Sequence, residues 1–439
     1  MNLKSWETVA SNLLNELKEG ESLSLSLGAE DSLFMRMTQA KVRQVTQIEQ
    51  GKVTLHFFKN NRNLKVALPF TFNTQRDTKA AQEAILSCRN AVQILPEDPF
   101  IQLPVQEGQF HQEASVLMDR DHLMKTCLEQ AKGVDFVGLL TAGEIVRANR
   151  NSAGLNQWFK TSTFSVDFSL YAQNNQATKG LYGGRHWHDH EFQAIMKKKL
   201  AQLEQLSKPI MTLKKAKYRT YFSPSAVATL MSSLWGFASR DAYQRGQCAF
   251  KKLVDGDKHL SPHFSLRENF TGGETPPFNE MGEMPPEILA IVENGHFKNL
   301  LCSTRSAKEY NLPSNFASSR EGLRSPEILA GHIAAEKELE TLGTGIYVSD
   351  LHYLNWSDVQ QGSITGMTRF GCFWVEKGQI VAPIKDLRFD ETLYHFWGTG
   401  LEGFTNKIEN FPSTGTYYHR SLGIVKAPGM LVNDFTFVL

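Results

Sequence analysis

The 439-residue sequence contains no run of about 18 apolar residues, so it offers no membrane-spanning helix. No apolar signal core follows Met1-Asn2-Leu3-Lys4-Ser5-Trp6. Five cysteines, Cys88, Cys127, Cys248, Cys302 and Cys372, lie far apart with no CxxC spacing. Such an odd, scattered set argues against a disulfide framework and against a zinc ribbon. Neither sign of charge dominates: 47 basic and 46 acidic side chains leave +1, without the basic excess that phosphate binding requires. The chain therefore reads as soluble and cytosolic, with no membrane and no nucleic acid among its partners. Nucleophile and nucleotide motifs are missing too. There is no G-x-S-x-G elbow, no Walker sequence and no G-x-G-x-x-G after a strand. His190-Glu191 begins an H-E-x-x-H that fails, because the residue four beyond His190 is Ala194.

What is present is ordinary globular material, 41% hydrophobic and 21% charged, in a chain long enough for two or three domains. Trp6, Val9, Leu13, Leu14 and Leu17 have helical spacing. Strand-like texture follows from Ser22 to Phe70, with turns read at Gly51 and Asn60–Asn63. A helix from Thr78 to about Leu95, capped by Asp77, then closes an α+β unit over 1–105. A middle α+β unit, 106–216, has a helix over Asp119–Lys132 and a hairpin of Val134–Leu140 with Glu144–Ala148 around Ala142-Gly143. In Thr163–Leu170, Phe164, Val166, Phe168 and Leu170 alternate with Ser165, Asp167 and Ser169, one face inward and one outward. A lysine-rich helix capped by Asp189 ends the unit. The remainder, 217–439, is β-rich with antiparallel hairpins. Ser223-Pro224 opens a helix carrying core residues Met231 and Trp235, and a further helix is expected over Pro326–Leu342. The fold class is α+β.

Few clusters could carry chemistry. His186, His188 and His190 alternate near Asp189 and Glu191, and imidazoles two apart on a strand share a face, as metal ligands could. An autonomous metallohydrolase built on them is one reading. A polar strand end leading into a helix is the other. His259 and His263 flank a Ser261-Pro262 turn. Gly362-Ser363-Ile364-Thr365-Gly366-Met367-Thr368-Arg369-Phe370-Gly371 has the composition of a loop. It feeds the strand Cys372–Glu376, a Lys377-Gly378 turn and a return strand ended by Pro383.

Several segments in order, Phe222-Ser223-Pro224, Ala242–Gly246, Leu260-Ser261-Pro262, Ile291–Asn299, Gly345–Leu351 and Gly371-Cys372-Phe373-Trp374-Val375-Glu376-Lys377-Gly378, resemble the TldD/PmbA family. These are peptide-processing proteins also labelled modulators of DNA gyrase. The resemblance implies a heteromeric zinc protease in which TldD-like members carry H-E-x-x-x-H on the helix after Ser-Pro and a cysteine near the C-terminus. Here that helix reads Ala228-Thr229-Leu230-Met231-Ser232-Ser233-Leu234-Trp235-Gly236, and Ser421–Met430 contains no cysteine. The resemblance is therefore to the PmbA/TldE-like branch. It implies a subunit that binds no cofactor and is not catalytic by itself, with zinc in a TldD-like partner, an unfolded peptide as substrate, and a homodimer when alone. Gly362, Ser363, Thr365, Gly366, Thr368 and Arg369 are the residues expected to line a peptide or partner groove, because glycine permits close backbone approach. A homodimeric peptide-binding protein without enzymatic role is the further alternative.

Overall fold

The computed structural model describes residues 1–104, 109–114, 119–234 and 236–438. Trp235 and the expected 105/106 boundary lie outside the described residues. The first sheet takes strands from both sides of that boundary: β1 (Glu21–Thr38), β2 (Lys41–Lys59), β3 (Arg62–Pro69), β4 (Gln109–Ala114), β5 (Asp135–Asn151), β6 (Asn156–Tyr171) and β7 (Ala177–Gly184). Among the described residues its order is β3-β2-β1-β5-β6-β4, with β7 beside the far half of β6. All neighbours are antiparallel except β4 and β6.

Alternation along these long strands makes two unlike faces. Leu23, Leu25, Leu27 and Ala29 of β1 pack beneath α1 (Leu3–Asn15) and α2 (Thr74–Ala91). Met35 and Met37 share a second apolar cluster with α3 (Arg120–Gln130) and α4 (Asp189–Gln205), joined by Phe136, Phe164, Val166 and Phe168. The opposite face carries Ser24, Glu30, Ser32, Asn149, Thr163 and Ser165, all buried although polar. They are buried because the C-terminal unit lies on them.

That unit is a second sheet. Its strands are β8 (Ala216–Phe222), β9 (Leu266–Asn269), β10 (Ile288–Glu293), β11 (His296–Phe297), β12 (Pro326–Ile328) and β13 (Gly345–Val348). They continue with β14 (Asp350–Asp358), β15 (Ser363–Arg369), β16 (Phe373–Glu376), β17 (Gln379–Pro383), β18 (Arg388–Thr392), β19 (Leu401–Pro412) and β20 (Ile424–Phe437). β20 is the hub, pairing with β8, β12, β18 and β19. Against it packs α5 (Pro224–Ser233), with Val227, Leu230 and Met231 in the core. Ser223 caps α5 by accepting from Ala226 N, and Pro224 takes the first turn, as its sequence announces. No helix of the described residues is long and apolar enough to cross a membrane.

Several local expectations are corrected. The hairpin around Ala142-Gly143 is one continuous strand, β5. A Cβ at Gly143 would collide with Asp31 O, so the glycine serves close strand approach and not a turn. Gly51 likewise sits inside β2, against Phe70 O. Asn73, not Asp77, caps α2; Asp77 is buried and accepts from Thr71 N and Oγ1. The helix expected over Pro326–Leu342 is strand β12, a short 3-10 turn and one helical turn at Glu338–Leu342. Pairing of Pro326–Ile328 with β9 overrides the helical pattern. The Lys377-Gly378 turn stands as read, with positive φ at both residues.

Candidate functional site

Between the polar face of the first sheet and the C-terminal unit opens a cleft of about 570 Å³. α5 forms one wall through Ser225, Ala228, Thr229, Ser232 and Ser233. β6 and β7 give Asp167 and Lys179, β14 gives Asp350, and the segment from Phe411 to Val425 closes the far side. Asp167 is an outward residue of the alternating Thr163–Leu170 strand, and the structure makes that outward face the cleft floor.

Asp350 lines the cleft and is almost wholly buried. Its Oδ1 accepts from Thr229 Oγ1 at 2.9 Å and Leu351 N at 2.8 Å, and its Oδ2 accepts from Ser225 Oγ at 3.3 Å. Asp167 lies 3.7 Å from Lys179. Burial pushes its carboxyl above the usual range, opposed by Lys179 and reinforced by the negative charge of Asp350. Glu321 closes one corner, accepting from Ser239 Oγ, Asp241 N and Ser303 N at 2.7 to 2.8 Å. Such a cleft presents hydroxyls and hydrogen-bonded carboxylates, groups suited to hydrogen-bonding a main chain.

A zinc ion requires about three or four His, Cys or carboxylate donors. The α5 residues lining the cleft are one alanine, one methionine and four hydroxyl residues, and Leu422, Gly423, Ile424 and Val425 of the 411–425 segment offer no thiolate. Among the described residues no three His, Cys, Asp or Glu side chains converge. The residues present do not fit zinc.

The histidine cluster does not assemble. β7 ends at Gly184, so strand alternation does not apply to His186, His188 and His190, and all three are exposed. His188 takes the helix N-cap position in place of Asp189, and its ring lies 5.7 Å from that of His190. Asp189 accepts instead from Trp187 Nε1 and His122 Nε2, which hold its carboxyl below the usual range. His263 faces His332, ring to ring, at 5.4 Å. All five cysteines are buried, and burial pushes each thiol up, to about 12 for Cys127 and Cys372. None is poised as a thiolate.

The Gly362–Gly371 stretch, expected as a loop, is largely strand β15, and β14 and β18 occupy both its edges. Gly362 packs on Leu393, and Gly366 leaves room for Leu354 and Phe389. Ser363 pairs with Thr392, and Thr365 Oγ1 donates to Phe389 O at 3.1 Å. Thr368 is fully buried, its Oγ1 accepting from Leu387 N. Arg369 alone among the six is exposed; it pairs in register with Asp350 and lies against Phe370, whose ring Lys179 also approaches. None of the six lines the cleft; Arg369 is only the ladder neighbour of Asp350, which does. Asp350, Thr229 and Asp167 stand in segments already conspicuous in sequence, whereas nothing local marks Glu321.

Comparison with solved structures gives the same architecture over the whole chain. TldE from Thermococcus kodakarensis matches with a TM-score of 0.82 at 13% identity, covering 99% of this chain and 100% of that one. A candidate modulator of a DNA gyrase from Thermotoga maritima matches at 0.79 and 16%, with 99% and 100% covered. A third, a candidate modulator of DNA gyrase from Bacteroides thetaiotaomicron, matches at 0.77 and 14%, with 99% and 98% covered. At these identities the likeness is one of fold. No curated protein sequence matches the chain. The family model described as the PmbA/TldA metallopeptidase C-terminal domain matches residues 215–438, more than half of the sequence, and the chain belongs to that family.

Proposed function

We propose that this chain is a PmbA/TldE-like subunit that holds an unfolded peptide in the seam cleft, while a zinc-bearing TldD-like homologue supplies the hydrolytic site. The observation that carries this reading is the cleft face of α5. It stands where Ser-Pro opens the helix, and it presents Ser225, Ala228, Thr229, Ser232 and Ser233 without a metal ligand. Hydroxyls and the Asp350 carboxylate can bond the main chain of an extended peptide without selecting its side chains. The whole-chain likeness in fold to a protein named TldE supports the same placement.

The test is co-expression with a TldD-like homologue of the same source, followed by co-purification, metal analysis and cleavage of an unfolded peptide. The expected result is a stable complex whose zinc follows the partner and which cleaves faster than the partner alone. Equal cleavage by the partner alone, or no complex, removes the subunit reading. Zinc retained by this chain in isolation and lost on His186→Ala with His188→Ala revives the metallohydrolase alternative.

A further inference from the structure

A second cavity, of about 390 Å³, lies on the other side of the 413–423 segment, against β1, β2 and β5. Its walls carry Lys52, Arg147 and Arg324, with His419 beside them and one acid, Glu280. None of the three cations forms an ion pair within 4.0 Å among the described residues. Arg147 lies over Gly28 and donates to Val146 O at 2.8 Å and Arg420 O at 2.9 Å. Arg324 donates to Pro276 O and Phe278 O, and its buried Nη1 has no partner among the described residues. Carbonyl oxygens satisfy N–H groups but leave the guanidinium charge uncancelled, and burying such a charge is costly. Burial accordingly pulls Arg147 down to about 10 and lowers Arg324 as well.

The neighbouring carboxylates are already engaged. Glu30, the acid that acts on Arg147, accepts from Ser32 Oγ, Gln50 and Arg420 N. Glu268 receives the main-chain N–H groups of Arg324 and Ser325, and Glu280 receives Ser319. The cavity lining therefore has two forked donors and a lysine against one acid, Glu280, with Glu30 and Glu268 offsetting part of the arginine charge from outside the lining. Neutral Asn149, Asn279 and Thr54 complete the wall with amide and hydroxyl groups. Planar guanidinium forks match a carboxylate in two bonds, and Glu280 in the same wall opposes a dianion more than a monoanion.

We infer that this second cavity binds a carboxylate carried on a peptide, either its C-terminus or an acidic side chain, gripped between Arg147, Arg324 and Lys52. The peptide half of the inference rests on the proposed function. The carboxylate half rests on the arginines alone.

Titration of the purified full-length chain with three forms of one unfolded peptide tests it. The peptide lacks Asp and Glu and is used as the free acid, as the C-terminal amide, and as the amide with one Glu added. At least one acidic form is expected to bind about tenfold or more tighter than the plain amide, the size of a charge-assisted hydrogen-bond pair. Which form gains tells whether the C-terminus or a side chain is held. Lys52→Gln, an exposed change that spares the fold, lowers the preference about threefold, and Arg147→Gln or Arg324→Gln erases it. Equal binding of all three peptides overturns the inference. So does a preference that survives in folded Arg147→Gln, or inorganic phosphate that binds more tightly than either acidic peptide. Complex formation with the TldD-like homologue is measured alongside. Loss of the acid preference with the complex intact sinks the carboxylate site alone, whereas loss of the complex with the preference intact sinks the subunit reading alone.

Discussion

Leu25, Leu27 and Ala29 point from β1 into the helices, and Ser26, Gly28 and Glu30 point from the same strand into the seam. The two faces of the first sheet are thus interleaved residue by residue, yet they are closed by different physics. One is sealed by α1 to α4 with aromatic and aliphatic packing. The other is covered by a separate sheet and held by hydrogen bonds such as those of Arg420, and the two cavities described above open on it. The apolar face supplies cohesion, which is non-directional and tolerates no gaps. A polar face can be buried only where partners are satisfied one by one, and wherever they are not, room and unspent hydrogen bonds remain for a ligand.

The sharpest way to break this contrast is to damage the apolar face. Phe136 is fully buried and stacks on Phe168 with centroids 5.1 Å apart. Phe136→Ala is expected to cost about 3–5 kcal/mol, read as a lower denaturant midpoint with unchanged m. A cost below about 1 kcal/mol would show that the helix-covered face is not the main source of stability.

Acidity separates two buried glutamates on opposite sides of the comparison. Burial pushes Glu268, beneath Arg324, up to about 7, against the two main-chain N–H groups it accepts. Its folded pKa lies above the unfolded value of 4.5, so its contribution is fully present below pH 4.5 and is lost as pH rises through about 7. Stability should fall across that window by up to about 3 kcal/mol, and Glu268→Gln should flatten the slope. Glu21, in contrast, sits at the edge of the helix-covered face. Burial alone would raise it, but Arg89, Lys18 N and Lys59 bring it down to about 2. Its contribution is present above pH 4.5 and is lost as pH falls toward 2, so Glu21→Gln should weaken the protein at neutral pH and change little at pH 2. Thermal unfolding across pH 2 to 8 distinguishes the two signs.

Much of the first face was legible in sequence, and little of the second. Alternation in Thr163–Leu170 told which side chains are buried against helices, and Ser223-Pro224 told where α5 begins. The same alternation labelled Ser165 and Asp167 outward, because a strand pattern contains no information about a distant segment that will lie on it. Arg420 is remote in sequence from Glu30, Gly143 and Thr163 of β1, β5 and β6, which it contacts. Glycine misled for a related reason. At Lys377-Gly378 it makes a turn, whereas at Gly51, Gly143 and Gly366 it makes room for a neighbouring chain, and sequence alone does not separate those uses. The family resemblance located α5 as the site to inspect, but Asp350 as its hydrogen-bonding centre emerged only from the fold.

A smaller effect is expected where the seam is pinned. Arg420 is almost fully buried and donates to Thr163 O at 3.0 Å and Thr163 Oγ1 at 2.7 Å. Arg420→Met keeps much of the volume and removes the charge-assisted bonds, with an expected loss of about 2–3 kcal/mol. The Tyr417-Tyr418 tip, already more than 80% exposed, should then be cleaved faster by chymotrypsin than in the parent. Unchanged proteolysis would mean that Arg420 does not hold the segment.

The smallest change bears most directly on the cleft. Thr229→Val is nearly isosteric and removes one of the three donors to Asp350, leaving Leu351 N at 2.8 Å and Ser225 Oγ at 3.3 Å. One hydrogen bond is worth about 1 kcal/mol, so the denaturant midpoint should move little. Adding Ser225→Ala should cost more than the sum of the single changes, because the second loss strips a buried carboxylate of its remaining side-chain donor. Peptide affinity should fall further than stability does, since the same hydroxyls are proposed to meet the bound main chain. Equal, small losses in both measurements would make the Thr229–Asp350 pair part of the scaffold, and the division of labour between the two faces would then have to be drawn deeper inside the seam.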